Sequence, residues 1–528
     1  MIGLSRVLLA AALFAALVST SAPAADSARF ARSSGVLLHP TSLPGRFGIG
    51  DLGPEAVAFV DFLAAARQSL WQVLPLGPTG FGDSPYQCLS SCAGNPMLVS
   101  PEKLVADGLL PAEALEKVPA FPTGAVDYGA VIEWKGRLLE RSLEHFLKTA
   151  SPAWRHRLEV FCDDSAPWLD DYALFKALKD AHGGKVWTTW EPELAGRKKE
   201  ALAEWGKKLE KQVAAQKYYQ FLFWAQWREL KAYANARGLK VIGDVPIFVA
   251  HDSADVWANP GLFRLDERGG PAVVAGVPPD YFSATGQRWG NPLYRWDEMA
   301  RQKYRWWVQR FGAALGMYDI LRIDHFRGFE ACWEVPAAEK TAANGRWAKV
   351  PGGELFETLR ARLGELPVIA EDLGVITPEV TALRERFGFP GMKILQYAYG
   401  WDPSSDFLPQ NFTRNSVVYT GTHDNDTTRG WYASAKDYEQ DYARKMLDRD
   451  GKNITWNLIH EAMTSVASMA ILPMQDLLDL GSEARMNTPG VASGNWRWRM
   501  REGSLTPALA RKLGELTFIT GRHDRFPK

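Results

Sequence analysis

The 528-residue sequence has no surplus of either charge: 61 basic side chains are matched by 61 acidic ones. Nucleic acids and anionic membranes reward a basic excess or a basic face, so neither is expected as a partner. Cysteine is scarce, with four residues in all, which excludes a disulfide-stapled scaffold. Cys88 and Cys92 are four positions apart, but no His or further Cys lies nearby to complete a metal-ligand set. Buried, inert thiols are expected for all four. Internal repeats and low-complexity tracts are absent. Beyond the first segment, no apolar run approaches the length of a membrane helix.

That first segment has its own pattern. Arg6 precedes an apolar run from Val7 to Val18, followed by Ala22-Pro23-Ala24. A basic start, a short apolar stretch and a small-x-small exit predict a secretory signal peptide over residues 1–24. The whole chain is 46 % hydrophobic and 23 % charged, a globular composition. The length suits two to four ordinary domains, or one large α/β barrel with insertions. Aromatic residues are plentiful, with 21 tryptophans. Such a surplus serves either a large core or clefts that stack flat ligand faces.

Eight short apolar or alternating runs recur, each ending in turn residues or an isolated polar group. They are Val36–Leu38, Trp71–Leu74, Val241–Gly243, Ile320–Ile323, Val368–Ala370, Met392–Leu395, Val417–Tyr419 and Ala470–Leu472. Runs this short and β-branched predict strands buried on both faces. Helical patterns lie between them. Pro54 to Arg67 places Ala56, Phe59, Val60 and Leu63 on one face; Thr377-Pro378-Glu379 opens a helix that Gly388 ends. Eightfold strand–helix alternation predicts a (β/α)₈ barrel, a TIM barrel; the alternative is a doubly wound open sheet. Two intervals are too long for simple crossovers. Residues 78–238 are expected to form a mainly helical insertion after the second strand. Residues 246–300, rich in Gly, Pro and aromatics, are expected to form a lid after the third. The whole of 25–528 is expected to be a single catalytic barrel domain.

In such barrels the reactive groups sit at the C-terminal strand ends. There the sequence places Asp244, Asp324, Glu371 and Asp424. Arg322 and Asp324 are two apart, so they point the same way from a strand, and a guanidinium favours the ionised carboxylate beside it. Glu371 follows the apolar Val368-Ile369-Ala370, a setting that keeps a proton on a carboxyl group. One ionised and one protonated carboxyl, without a metal-ligand cluster, is the equipment for cleaving a glycosidic bond. Any one of these carboxylates alone would serve as readily as a helix cap or a salt-bridge partner. Three at successive strand ends are poorly explained that way.

The segments Gly35-Val-Leu-Leu-His-Pro-Thr-Ser-Leu-Pro44, Trp71 to Gly80, Gly82-Asp-Ser-Pro-Tyr86 and Gly243-Asp-Val-Pro-Ile-Phe248 resemble the 4-α-glucanotransferases, the amylomaltases or disproportionating enzymes. The likeness continues through Arg322-Ile-Asp-His-Phe-Arg-Gly328, Ala370 to Gly374, Gly421-Thr-His-Asp-Asn425, Gly481 to Asn487 and Ser493-Gly-Asn-Trp496. It runs in order from about Ser34 to Leu513. The resemblance implies a retaining double displacement that moves a segment of an α-1,4-glucan to the 4-hydroxyl of a glucose or maltooligosaccharide acceptor. By that likeness Asp324 is the nucleophile, Glu371 the acid/base, and Asp424 the carboxylate that clamps sugar hydroxyls. Arg322 and His423 match transition-state hydrogen-bond donors, Asp244 a donor-sugar ligand, and Tyr86 a stacking platform. Gln287 and Trp289, in the lid-like loop Gly276–Pro292, would line the glucan path, and Asn495 is a further substrate-binding candidate. Tyr281 and Phe282 offer additional flat faces. Position 284 departs from the pattern: it is Ala where close relatives often carry Glu, which bears on how acceptor binding and lid closure are coupled. Relatives are commonly cytoplasmic, whereas the first 24 residues predict a periplasmic or secreted enzyme.

Two other patterns fail. Gly48-Ile-Gly50-Asp-Leu-Gly53 spells a dinucleotide fingerprint, but prolines separate it from the preceding strand and no acidic residue follows at the required distance. His460-Glu461 lacks the second histidine of a zinc-protease motif. No cofactor and no metal are therefore expected. Two rivals remain at this level: a hydrolase using the same carboxylates, and a catalytically silent glucan-binding protein.

Overall fold

The structure, a computed structural model, describes residues 28–279 and 283–523. The expected signal peptide and the candidates Tyr281 and Phe282 lie outside the described residues. Among the described residues, twelve strands occur in chain order. They are β1 (Ser33–Leu37), β2 (Leu70–Gln72), β3 (Lys240–Pro246), β4 (Val273–Val277), β5 (Gln287–Pro292) and β6 (Ile320–Asp324). There follow β7 (Ala331–Pro336), β8 (Arg346–Lys349), β9 (Val368–Ala370), β10 (Gly391–Ile394), β11 (Ser416–Tyr419) and β12 (Met469–Pro473).

Eight of them, in the order β10-β11-β12-β1-β2-β3-β6-β9, form one parallel sheet. These are the eight apolar runs of the sequence. The sheet closes on itself, because the Ala370 N–H of β9 donates to the Pro390 carbonyl just before β10 at 2.9 Å. The Met392 N–H of β10 donates to the Asp372 carboxylate at 2.7 Å across the same seam. The (β/α)₈ barrel therefore holds, and the open sheet does not.

Strand parity decides what the barrel interior contains. Leu37, Leu70, Ile242, Ile320, Ile369, Val417, Tyr419 and Ile471 make one inner cluster, while their neighbours Val36, Trp71, Val241, Leu321 and Val418 join the larger core outside it. Because successive side chains alternate faces, the inward series continues upward from Ile242 to Asp244. In the same way it runs from Ile320 to Arg322 and Asp324, and from Ile369 to Glu371. The charged groups are the top layer of the same stack.

Helices fill most of the long interval between β2 and β3, including Tyr128–Thr149, Pro152–Ala181, Lys199–Lys208 and Glu210–Ala236. The last of these also serves the barrel. Trp227 is fully buried, packs 6.4 Å from Trp71 of β2 and donates its indole N–H to the Met317 carbonyl at 2.9 Å. Most of the tryptophan surplus goes into packing of this kind; Trp71, Trp227, Trp257 and Trp307 are among the largest fully buried side chains.

The region after β3 differs from the loop the sequence suggested. β4 and β5 pair antiparallel, and β7 and β8 extend them into a four-stranded sheet in the order β5-β4-β7-β8. Gly and Pro interrupt β5, and β8 is four residues of mostly exposed, charged character, so neither carries the alternation that marks a strand.

The glycines of the false fingerprint have a packing role. A Cβ on Gly50 would lie 2.0 Å from the Pro40 carbonyl oxygen, and one on Gly53 would lie 2.3 Å from the Ser100 hydroxyl. Gly48 has a φ of +78° and sits against Phe121 and Val131. The stretch is a tight seam between barrel and helical insertion. All four cysteines are free thiols, and burial pushes the Cys88 and Cys92 thiols up to about 12.

Candidate active site

The register of β3 against β6 sets Asp244 directly beside Arg322. The Arg322 guanidinium donates to Asp244 Oδ2 at 2.6 Å and to Asp324 Oδ1 at 3.1 Å. One cation thus bridges the ends of two adjacent strands. Asp244 and Arg322 are buried, whereas the Asp324 side chain keeps 29 % of its surface exposed toward solvent. Of the three groups it is the most open to solvent. Asp244 Oδ2 also accepts the Tyr86 hydroxyl at 2.8 Å. Its other oxygen is buried and has no protein partner among the described residues. Burial pushes the Asp244 carboxyl above the usual range, with Arg322 opposing that shift.

β6 ends abruptly at His325, whose φ of +52° is in the left-handed region, a costly conformation for a residue other than glycine. The turn aims the His325 main-chain N–H at Glu371 Oε2, 2.6 Å away, while the Leu373 N–H donates to Oε1 at 2.8 Å. Glu371 is therefore clamped at both oxygens by backbone. Burial pushes its pKa up to about 8; Arg322 and the two N–H groups pull it down, and the Asp324 charge adds to the rise. Desolvation prevails, as it does for other carboxyls enclosed in apolar walls.

Asp424 follows β11 by five residues. Its Oδ1 accepts the Asn487 side-chain amide at 2.6 Å, and the His423 imidazole is 3.5 Å from the same oxygen. Arg485 donates to the Asp424 carbonyl at 2.7 Å, and the Asn487 N–H donates to the His423 carbonyl at 3.0 Å. His423 stacks on Tyr86, with ring centroids 5.1 Å apart and an interplanar angle of 13°, and Trp496 tilts against both. Burial lowers the His423 pKa, with the neighbouring Asp424 charge acting against it.

The structure thus links Tyr86, Asp244, Arg322 and Asp324 in one hydrogen-bonded chain, with His423 and Asp424 joined to it through the Tyr86 ring. Trp289 lies 4.8 Å from the His325 ring, edge to face, and donates its indole N–H to Gln287 at 3.2 Å. These two candidates therefore stand on β5 next to the turn that holds Glu371. Asn495 is placed differently. Its amide donates to the Val491 and Thr488 carbonyls and its oxygen accepts the Thr488 N–H, so the side chain is committed to bracing its own loop. Sequence reasoning did not single out His325, Asn487 or Trp496. Each lies inside a quoted motif, but its contribution comes through a main-chain N–H or through a partner distant in sequence. Among the described residues, no group of three or more His, Cys, Asp and Glu is arranged to hold a metal ion. No helix among them is long and apolar enough to cross a membrane.

Known proteins resemble the chain over most of its length. The sequence profile of the 4-alpha-glucanotransferase family matches residues 38–506. The 4-alpha-glucanotransferase of Synechocystis is 52 % identical over 501 residues, covering 94 % of this chain and 98 % of the relative. That of Thermus thermophilus is 52 % identical over 499 residues, covering 93 % and 99 %. Among solved structures, the amylomaltase from Streptococcus agalactiae in complex with acarbose superposes with a TM-score of 0.90 at 41 % identity, over 93 % of this chain and all of that one. With a profile spanning most of its length, full-length relatives at this identity and the same barrel, the chain belongs to the 4-alpha-glucanotransferase family.

Proposed function

We propose that this α-glucan-acting transferase works by retaining double displacement, with Asp324 as nucleophile and Glu371 as acid/base. Asp324 attacks C1 of an α-1,4-linked glucose while Glu371 gives its proton to the departing glycosidic oxygen, leaving a covalent glucosyl-enzyme and a Glu371 carboxylate. The 4-hydroxyl of an acceptor sugar then attacks C1. Glu371 takes the hydroxyl proton, Asp324 departs, and the new linkage has the starting configuration. The observation that carries this reading is the Arg322 bridge beside a buried Glu371. It gives two carboxyls from adjacent strands opposite surroundings, one facing a cation and solvent, the other enclosed. Surroundings this different suit one carboxyl to the nucleophile's part and the other to the acid's.

The other groups act on the sugar. Asp424, fixed by Asn487 and His423, accepts hydroxyls of the donor glucose. The unpartnered Asp244 oxygen takes another hydroxyl, and Tyr86 lies under the ring. Gln287 and Trp289 line the acceptor side. Asn495 acts indirectly, by holding the loop that carries Trp496.

The covalent step is tested with an α-maltosyl fluoride donor and Glu371→Gln. Fluoride departs without an acid, but the product cannot be released without a base, so the covalent maltosyl-enzyme accumulates. Mass spectrometry is expected to find the added sugar on the peptide that contains Asp324. No adduct, or an adduct on another residue, contradicts the mechanism.

A further inference from the structure

We propose that Trp401 is the stacking platform of a second α-glucan site, on the surface beside the cleft, which holds part of a long chain while its end is processed. The proposal rests on the glucan-transfer reading above. It starts from a side chain that is costly twice over. Trp401 has a φ of +60°, where glycine or asparagine is the inexpensive choice, and 48 % of it is exposed.

The indole is nevertheless fixed. Its N–H donates to the Tyr438 carbonyl at 2.6 Å. It stacks on Tyr442 with centroids 4.8 Å apart at 25°, and the Lys445 ammonium lies 4.9 Å from the ring centroid, itself tied to Asp441 at 2.7 Å. All these partners come from one helix, Asp437–Leu447. The contacts that fix the indole are therefore on the helix side, and nearly half of the residue stays exposed. Tyr438, 45 % exposed, adds a second ring on the same helix. A rigid, half-exposed tryptophan with its polar atom already satisfied presents a flat apolar surface, suited to the apolar face of a pyranose ring.

Its location specifies the occupant. Trp401 is on the loop that leaves the C-terminal end of β10, at the barrel mouth. Three residues before Gly400 on that loop, the Tyr397 hydroxyl accepts the amide of Asn425, the neighbour of Asp424. Four residues of chain reach at most about 14 Å, which keeps the Trp401 backbone within that distance of Tyr397. A maltooligosaccharide too short to leave the cleft would not touch it, whereas a long glucan would.

Trp401→Ala and Tyr438→Ala, each checked by its melting curve, test this; the second keeps the carbonyl that anchors the indole. In native gels containing glycogen, the wild type is expected to be retarded and both variants less so. KM for amylose is expected to rise about five- to tenfold for Trp401→Ala, as loss of one ring-stacking contact implies, while kcat and KM on maltotriose stay at wild-type values. Unchanged retardation, or an equal loss on maltotriose, overturns the proposal. So does a change from dimer to monomer in sedimentation with retardation intact, which would make the face an interface between copies. A wild type inactive on maltotriose would instead refute the transfer reading.

Discussion

At the residue scale, the site is a set of carboxyls whose surroundings have been made unequal. Burial holds Glu371 protonated up to about 8, so its acid form is present at neutral pH and lost as pH rises through that value. The alkaline limb of kcat/KM on a glucan is accordingly expected near pH 8. A limb at the ordinary glutamate value of about 4.3 would show that Glu371 is not the acid. Much of this was legible in the sequence. Arg322 and Asp324 share a face because they are two apart, and Glu371 ends an apolar run. What escaped notice comes from distance along the chain. Asn487 reaches Asp424 across 63 positions, and the His325 N–H meets Glu371 across 46. No local pattern encodes a main-chain donor in a left-handed turn.

At the element scale, the barrel strands were readable and the four-stranded antiparallel sheet was not. Apolar runs such as Ile320–Ile323 are buried on both sides by the inner and outer cores, so their composition alone marks them. β5 and β8 gain their extended form from pairing with β4 and β7, a tertiary effect that overrides weak local preference. Ala284 is exposed in the turn between β4 and β5, so a carboxylate placed there is in water and free to meet an acceptor. Ala284→Glu is therefore expected to shift the ratio of transfer to hydrolysis products with little change in stability. The measurement is the yield of longer oligosaccharides against new reducing ends, and an unchanged ratio removes the role assigned to this position.

At the scale of the whole molecule, the helical insertion is locked to the barrel mouth by a buried charge. Lys135, in the helix Tyr128–Thr149, donates to Asp51 at 3.3 Å and to the Met97 and Val99 carbonyls at 2.7 and 3.0 Å. Lys135→Met would leave the Asp51 carboxylate buried without its cation, which costs about 3–5 kcal/mol in comparable pairs. A clear drop in the urea midpoint is expected, and an unchanged midpoint would show that the seam is held by packing alone. The neutral composition also acquires a meaning at this scale, since an uncharged glucan needs no electrostatic steering.

A sugar hydroxyl, rather than water, is expected to complete the reaction begun by Asp324. Incubation with maltotriose, followed by chromatography of the products, tests it most directly, with Asp324→Asn as the control. Glucose together with a ladder of chains longer than maltotriose is expected, and no products from the variant. Shorter sugars alone would identify a hydrolase, and an unchanged maltotriose profile with the wild type would contradict the account altogether.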